Sequence, residues 1–263
     1  MRKKKVITKV TAVLLSFAVV FSMIPGVVFA DTGADTATVI TTAEQFAKMD
    51  AGGNYKLGKD ITVTTPYAND FSGTFDGAGH TVTLNATSNG VFVKTGNKAE
   101  IKNLAVKGSV SGGKEIGGLV GINAGIITMC KNEADIVSND RYVGGIAGKN
   151  TGSINDCYNV GNINTTYNGK SGYIGGIVGN SSDASAISNC YNVGTISVGN
   201  ITNCGAIVGW HNGNKISGCY YLTDSYSKGG NVYNTEDLNA IIAKTIAIEI
   251  NRNVANPPGP LTI

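Results

Sequence analysis

Four stretches decide the fold: Ile116-Gly-Gly-Leu-Val-Gly121, Val143-Gly-Gly-Ile-Ala-Gly148, Ile174-Gly-Gly-Ile-Val-Gly179 and Cys204-Gly-Ala-Ile-Val-Gly209. Each glycine-bracketed apolar box is followed nine to eleven residues later by a cysteine, in turn Cys130, Cys157, Cys190 and Cys219. The closing glycines are 27, 31 and 30 residues apart. A period of this length marks one supersecondary unit stacked on copies of itself, because a single unit cannot bury its own apolar face. That architecture excludes most enzyme folds before any side-chain chemistry is weighed.

Within each copy the box reads as a short strand with bends at its glycines. A polar turn follows, with Asn123, Asn150 or Asn180 close behind the box. The next strand carries Ile127, Ile154, Ile187 or Ile216 three residues before the cysteine, and Ile136, Ile163 and Ile196 fall six residues after it. Three short strands per copy predict a parallel β-solenoid whose coils rise by about 4.8 Å. A weaker copy precedes the first box: Gly90-Val-Phe-Val stands in the box position, and Leu104 stands where later copies have cysteine. A slot that accepts leucine or cysteine is an interior apolar slot. Leu104, Cys130, Cys157, Cys190 and Cys219 are therefore assigned to the core.

The ends read differently. Residues 1–30 have the form of a secretory signal: Arg2, Lys3, Lys4, Lys5 and Lys9, then the apolar run Val10 to Val20, then Val28-Phe-Ala30. Residues 31–68 are assigned to an N-terminal cap. Its helix starts at a capping box, Thr41 with Glu44 or Thr42 with Gln45, and carries Phe46 and Met49 on one face. The alternating segments Tyr55-Lys-Leu and Asp60-Ile-Thr-Val-Thr follow as strands. Residues 69–229 make the solenoid and 230–263 a C-terminal cap or tail, where Thr235-Glu-Asp-Leu can cap a helix from about 236 to 252. The run Thr245-Ile-Ala-Ile-Glu-Ile reads equally as strand, and Asn256-Pro-Pro-Gly-Pro as a linker or frayed end, whose abruptness also suggests a fragment of a larger surface protein.

Charge narrows the partners. The formal +3 includes five basic residues of the signal; without them 16 basic residues face 18 acidic ones. A basic footprint for nucleic acid or an anionic membrane is lacking, and no segment after the signal has the ~20 apolar residues of a membrane span.

The repeat Gly-Gly-Leu-Val-Gly, then Ile-x-x-Cys-(Tyr/Lys)-Asn-x-Gly-x-Ile, resembles the GLUG-motif repeats of secreted and surface bacterial proteins. The segment Phe71-Ser-Gly-Thr-Phe-Asp-Gly-Ala-Gly-His80 and the Thr-Ala-Glu-Gln-Phe helix are similar to the module that precedes such repeats. The likeness spans roughly residues 38–222. It implies an all-β, right-handed parallel β-helix outside the cell with an N-terminal capping helix, and it brings no catalytic set. Cys204, in place of the isoleucine or valine that opens a box, departs from the pattern.

Several groups invite chemistry. Stacked cysteines would lie within disulfide reach, but Leu104 in their slot favours an apolar ladder. No Cys-x-x-Cys pair suggests zinc. Glu133, Asp135 and Asp140 cluster in sequence, yet Asp135 is matched by Asn162 and Thr195, and Asp156 by Met129, Asn189 and Gly218, so no acidic ladder climbs the solenoid. His80 reads as a turn residue. Tyr158, Tyr191 and Tyr220 each follow a cysteine, and alternation turns them outward. With Trp210 and the variable loop 164–173 they form the expected contact surface for a sugar or protein partner. Asn159 and Asn192 are expected to bond along turns. The sequence thus predicts a secreted or surface-associated, non-catalytic structural or adhesion module. It needs no cofactor or metal, and its partners are a polysaccharide or a surface protein. The alternative is a carbohydrate-active enzyme, a lyase or hydrolase, with acids at 133–140.

Overall fold

A computed structural model describes residues 36–222, apart from 88, 168, 170, 183, 184, 200, 202, 213 and 214, together with 235–237. The signal-like residues 1–30 and most of the C-terminal segment lie outside the described residues. Every strand pairing among the described residues is parallel, and the repeats pair in register, coil upon coil. This is an all-β solenoid.

Each coil contributes more strand segments than the three the sequence suggested. In the coil of the first box they are Ile116–Gly117, Val120–Asn123, Ile126–Thr128, Lys131–Asn132 and Asp135–Ser138. The extra segments arise because the middle of the box bends the backbone between Gly117 and Val120, and Glu133-Ala134 bends it again. One sheet takes the box openings and a second takes the box ends. A third takes the strands with Ile127, Ile154, Ile187 and Ile216, and a fourth takes the strands after the cysteines. The third sheet runs on through Thr74–Asp76 and Asn54–Leu57 to Thr38–Ile40, so the strands before residue 69 are rungs of the same ladder.

At that end, the helix Ala43–Ala47 (α1) begins at Thr42, whose hydroxyl accepts from the Gln45 N–H at 3.2 Å while Gln45 Oε1 accepts from the Thr42 N–H at 3.1 Å. Of the two capping boxes compatible with the sequence, the chain uses Thr42 with Gln45. Phe46 is buried among Phe92, Phe75 and Tyr67, with ring centroids 5.7, 5.9 and 6.2 Å away. At the other end, Thr235–Asp237 pairs with Cys219–Tyr221 as a strand, so Thr235 does not cap a helix. Residues 238–252 of that expected helix lie outside the described residues.

The core is built from columns. Ile101, Ile127, Ile154, Ile187 and Ile216 are in register and buried, as are Val110, Ile136, Ile163 and Ile196. Just before the cysteine slot, Asn103, Met129, Asp156 and Asn189 all have φ of 52–53°, and Gly218 has 59°. This column explains why acid, amide and glycine interchange at Asp156: the slot demands left-handed backbone, which Asn, Asp and Gly tolerate best. Met129 is the misfit, and its side chain is 49% exposed. Met129→Asn is expected to raise stability by about 1 kcal/mol, read as a higher melting temperature; a lower one would contradict the assignment.

Candidate functional site

Two columns of buried asparagines line the interior corners. Asn132 Nδ2 donates to Asn159 Oδ1, and Asn159 Nδ2 donates to Asn192 Oδ1, each at 2.8 Å. Each amide also donates to the carbonyl two residues on: Ala134, Gly161 and Gly194. Across the coil, Thr95 Oγ1 donates to Asn123 Oδ1 and Asn123 Nδ2 to Asn150 Oδ1, at 2.8 and 2.7 Å. The turn bonds expected of Asn159 and Asn192 are present, and the coil-to-coil bonds come in addition. The box-closing strands pair Asn150 with Ser181, so Ser181 and not Asn180 continues this column; Asn180 lies opposite Lys149 and Trp210.

The second glycine of each box faces this amide ladder. A Cβ on Gly118, Gly145 or Gly176 would lie 2.1, 2.4 or 2.4 Å from the nearest side-chain atom of Asn132, Asn159 or Asn192, respectively. The fourth box carries Ala206 there, and its coil has Tyr221 in the asparagine position. Glycine gives way to alanine where the ladder ends.

Leu104, Cys130, Cys157, Cys190 and Cys219 occupy the interior slot, none more than 1% exposed. All five cysteines are free thiols, and Cys204 is buried on a different strand. Burial pushes the Cys157 and Cys190 thiols well above their usual range. At Cys219 the hydrogen bond with Cys190, with burial behind it, acts in the same direction. All five are buried out of reach of a reagent, so a disulfide-exchange reagent is expected to label none of them in the native protein and all five after unfolding. Rapid labelling of the native chain would contradict this placement.

The candidate acids are held by neighbours. Glu133 pairs with Lys131 and Lys107. Burial works to raise its carboxyl pKa, but the two lysines outweigh it and the net shift is downward. Asp135 accepts from Asn162, and Asp140 lies against Arg141. His80 sits 3.3 Å from Asp60 at the turn before Thr81.

On the outside are two aromatic columns. In the first, Lys131, Tyr158, Tyr191 and Tyr220 are in register. Tyr158 and Tyr191 stack face to face, with centroids 4.7 Å apart and planes within 5°. That geometry offers a ligand ring edges and hydroxyls, while the facing surfaces are spent on each other. Burial, and then the neighbouring Tyr158, push the Tyr191 phenol pKa well above the ordinary range, so the ring stays protonated. Tyr158→Ala with Tyr191→Ala is expected to cost about 1–2 kcal/mol through the lost stack and burial.

Trp210 does not belong to that column. Its ring lies 5.7 Å from Tyr173, which in turn stacks on Tyr142 at 5.3 Å and 19°. The second column is therefore Tyr142, Tyr173 and Trp210. The two tyrosines immediately precede their boxes, a position the sequence reading passed over. Around Tyr142 stand Lys149, Lys114 and Arg141, with their charges 4.4, 5.6 and 6.0 Å from the ring centroid. Glu115, in the preceding coil, takes Lys149 at 2.8 Å and Lys114 at 3.6 Å. Glu115 and Tyr142 both adopt left-handed backbone with φ of 64°. In the variable loop Thr165 is buried and Tyr167 packs against the core, so part of that segment faces inward.

Comparison with known proteins agrees with this geometry. The GLUG motif matches residues 139–164 and 170–197, the two coils that carry Tyr142 with Tyr158 and Tyr173 with Tyr191. No curated protein sequence matches the chain. A Bacteroides ovatus protein whose crystal structure is named that of a putative immunoglobulin A1 protease superposes with a TM-score of 0.57 at 20% identity, over 84% of this chain and 90% of that one. At that identity the likeness is one of fold. The chain is thus a β-solenoid carrying GLUG-motif repeats.

Proposed function

We propose that the protein is a secreted or cell-surface, non-catalytic β-solenoid, a structural or adhesion module that contacts a polysaccharide or a surface protein through its outer aromatic side chains. The observation that carries this reading is the column Tyr142, Tyr173 and Trp210, set on consecutive coils beside three cations. Such side chains present apolar rings with a polar tip, the chemistry of interfaces. Both columns stack tyrosine on tyrosine, but only the second adds a tryptophan tilted by 46° and a group of three cations, so contact is assigned to the second. Glu133, the best placed acid of the enzymatic alternative, is engaged by two lysines and kept ionised, which suits a surface ion pair better than a proton donor. Secretion is supported by the form of residues 1–30.

Labelled protein applied to a panel of extracellular polysaccharides and to intact cells tests the reading. Retention by at least one surface is expected, together with loss of retention in the Tyr173→Ala/Trp210→Ala variant. Release of reducing or unsaturated sugar ends, or retention unchanged in that variant, would overturn it.

A further inference from the structure

We infer that the face formed by Arg141, Tyr142, Tyr173 and Trp210 binds an acidic polysaccharide, with Arg141 taking a carboxylate or sulfate and the Tyr173 and Trp210 rings lying along the sugar chain. This rests on the reading of the second aromatic column as the contact surface and adds to it the chemical class of the ligand.

The face carries excess positive charge. Three cations gather at Tyr142, whereas the acids among them are Glu115 and Asp140. The patch is therefore positive on a chain whose sequence after residue 30 carries more acids than bases. Lys149 and Lys114 share one carboxylate, so neither is fully neutralised.

The same face holds an unmet donor. Arg141 Nε is buried and has no hydrogen-bond partner among the described residues, since Asp140 Oδ1 stands 3.6 Å away, beyond hydrogen-bonding distance. A buried donor left unpaired is unfavourable, and an anionic group that reaches it relieves that cost. The side chain is otherwise 41% exposed, so a modest rotation can place the planar guanidinium fork on one anionic group, the arrangement arginine favours.

Backbone strain points to the same place. Glu115 and Tyr142 hold a left-handed φ of 64°, which is unfavourable for non-glycine residues. Such cost is typically retained where side-chain placement serves a contact. Here it directs Tyr142 and Glu115 onto the lysines.

Finally, the rings are spaced by the solenoid itself. Tyr142 and Tyr173 stand on consecutive coils with centroids 5.3 Å apart and Trp210 extends the row by 5.7 Å, a linear array that suits an extended polymer better than the irregular surface of a folded protein.

The test is calorimetric titration with oligogalacturonate (carboxylate), a heparin oligosaccharide (sulfate) and a neutral glucan of similar length, at low and moderate salt. Binding of at least one acidic oligosaccharide is expected, weakening several-fold as salt rises. Arg141→Gln is expected to weaken it about tenfold or more, Arg141→Lys by less, and Trp210→Ala about tenfold, whereas Tyr158→Ala leaves it unchanged. Preference for oligogalacturonate or for heparin identifies the anionic group. Equal binding of neutral and acidic sugars, lost in Trp210→Ala but untouched by Arg141→Gln, would overturn the inference and leave the adhesion reading standing. Binding of none of the three, with retention only by a surface protein, would overturn the inference on its ligand class. No retention by any polysaccharide, cell or surface protein would defeat both.

Discussion

Asn159→Ala is expected to destabilise the solenoid by about 4 kcal/mol, more than the same change at either end of the amide ladder. Asn159 is fully buried, donates to Gly161 O and Asn192 Oδ1, and accepts from Asn132, all at 2.8 Å. Truncation removes these bonds together and leaves the Asn132 amide, the Gly161 carbonyl and the Asn192 amide each short of a partner in the interior. Each such loss costs about 1–3 kcal/mol, and a connected buried network loses more than its separate pairs suggest. Asn132→Ala breaks one coil-to-coil bond and is expected to cost about 2–3 kcal/mol. Chemical denaturation gives both values. A loss at Asn159 below about 1 kcal/mol, the size of one ordinary hydrogen bond, would mean the ladder adds nothing beyond its turns.

Gly145→Ala is the second large effect. The new Cβ would lie 2.2 Å from the Gly176 carbonyl oxygen and 2.4 Å from Asn159 Cγ. Neither neighbour is the free end of a flexible side chain: one is backbone and the other is pinned by the ladder. Overpacking of a tight interior costs about 1–3 kcal/mol and occasionally more, and here the upper end is expected, about 3 kcal/mol. That corresponds to a fall in melting temperature of roughly 6–12 °C for a domain of this size. The reverse change in the last box, Ala206→Gly, is expected to cost only about 1 kcal/mol, because no asparagine stands opposite. If both changes cost the same, the pairing of second glycine with asparagine is not what selects the box.

Much of this architecture was legible in the sequence because stacking forces equivalent positions into one environment. Leu104 and the cysteines shared a slot, and that slot is interior. The isoleucines three residues before and six after the cysteines became two buried columns. The same alternation that turned Tyr158 and Tyr191 outward from Cys157 and Cys190 places Asn159 and Asn192 inside. Yet asparagine one step beyond a tyrosine reads as a turn residue until its neighbours above and below are known. Asn180 falls outside the column because it stands one residue after its closing glycine, whereas Asn123 and Asn150 stand two after theirs; the equivalent position in the third coil is Ser181.

The proposed contact face was harder to read. Tyr142 and Tyr173 precede their boxes, but Glu115 and Asn203 hold that position in the flanking coils, so no repeated residue type announced a column. Trp210 joins Tyr173 from a neighbouring strand, and only the bend inside the glycine box brings the two together. Conversely, Tyr158 and Tyr191 looked like a binding stripe because they repeat. Repetition at the coil spacing is what closes their faces against each other.

The central claim is a division of labour: one aromatic column stabilises the stack, and the other meets the partner. It is tested most directly by crossing two double variants, Tyr158→Ala/Tyr191→Ala and Tyr173→Ala/Trp210→Ala, with two measurements, melting temperature and retention by polysaccharide or cell surface. The account predicts that the first variant melts several degrees lower and is still retained, while the second loses retention and still melts as a folded solenoid. Retention lost in the first variant and kept in the second would contradict it.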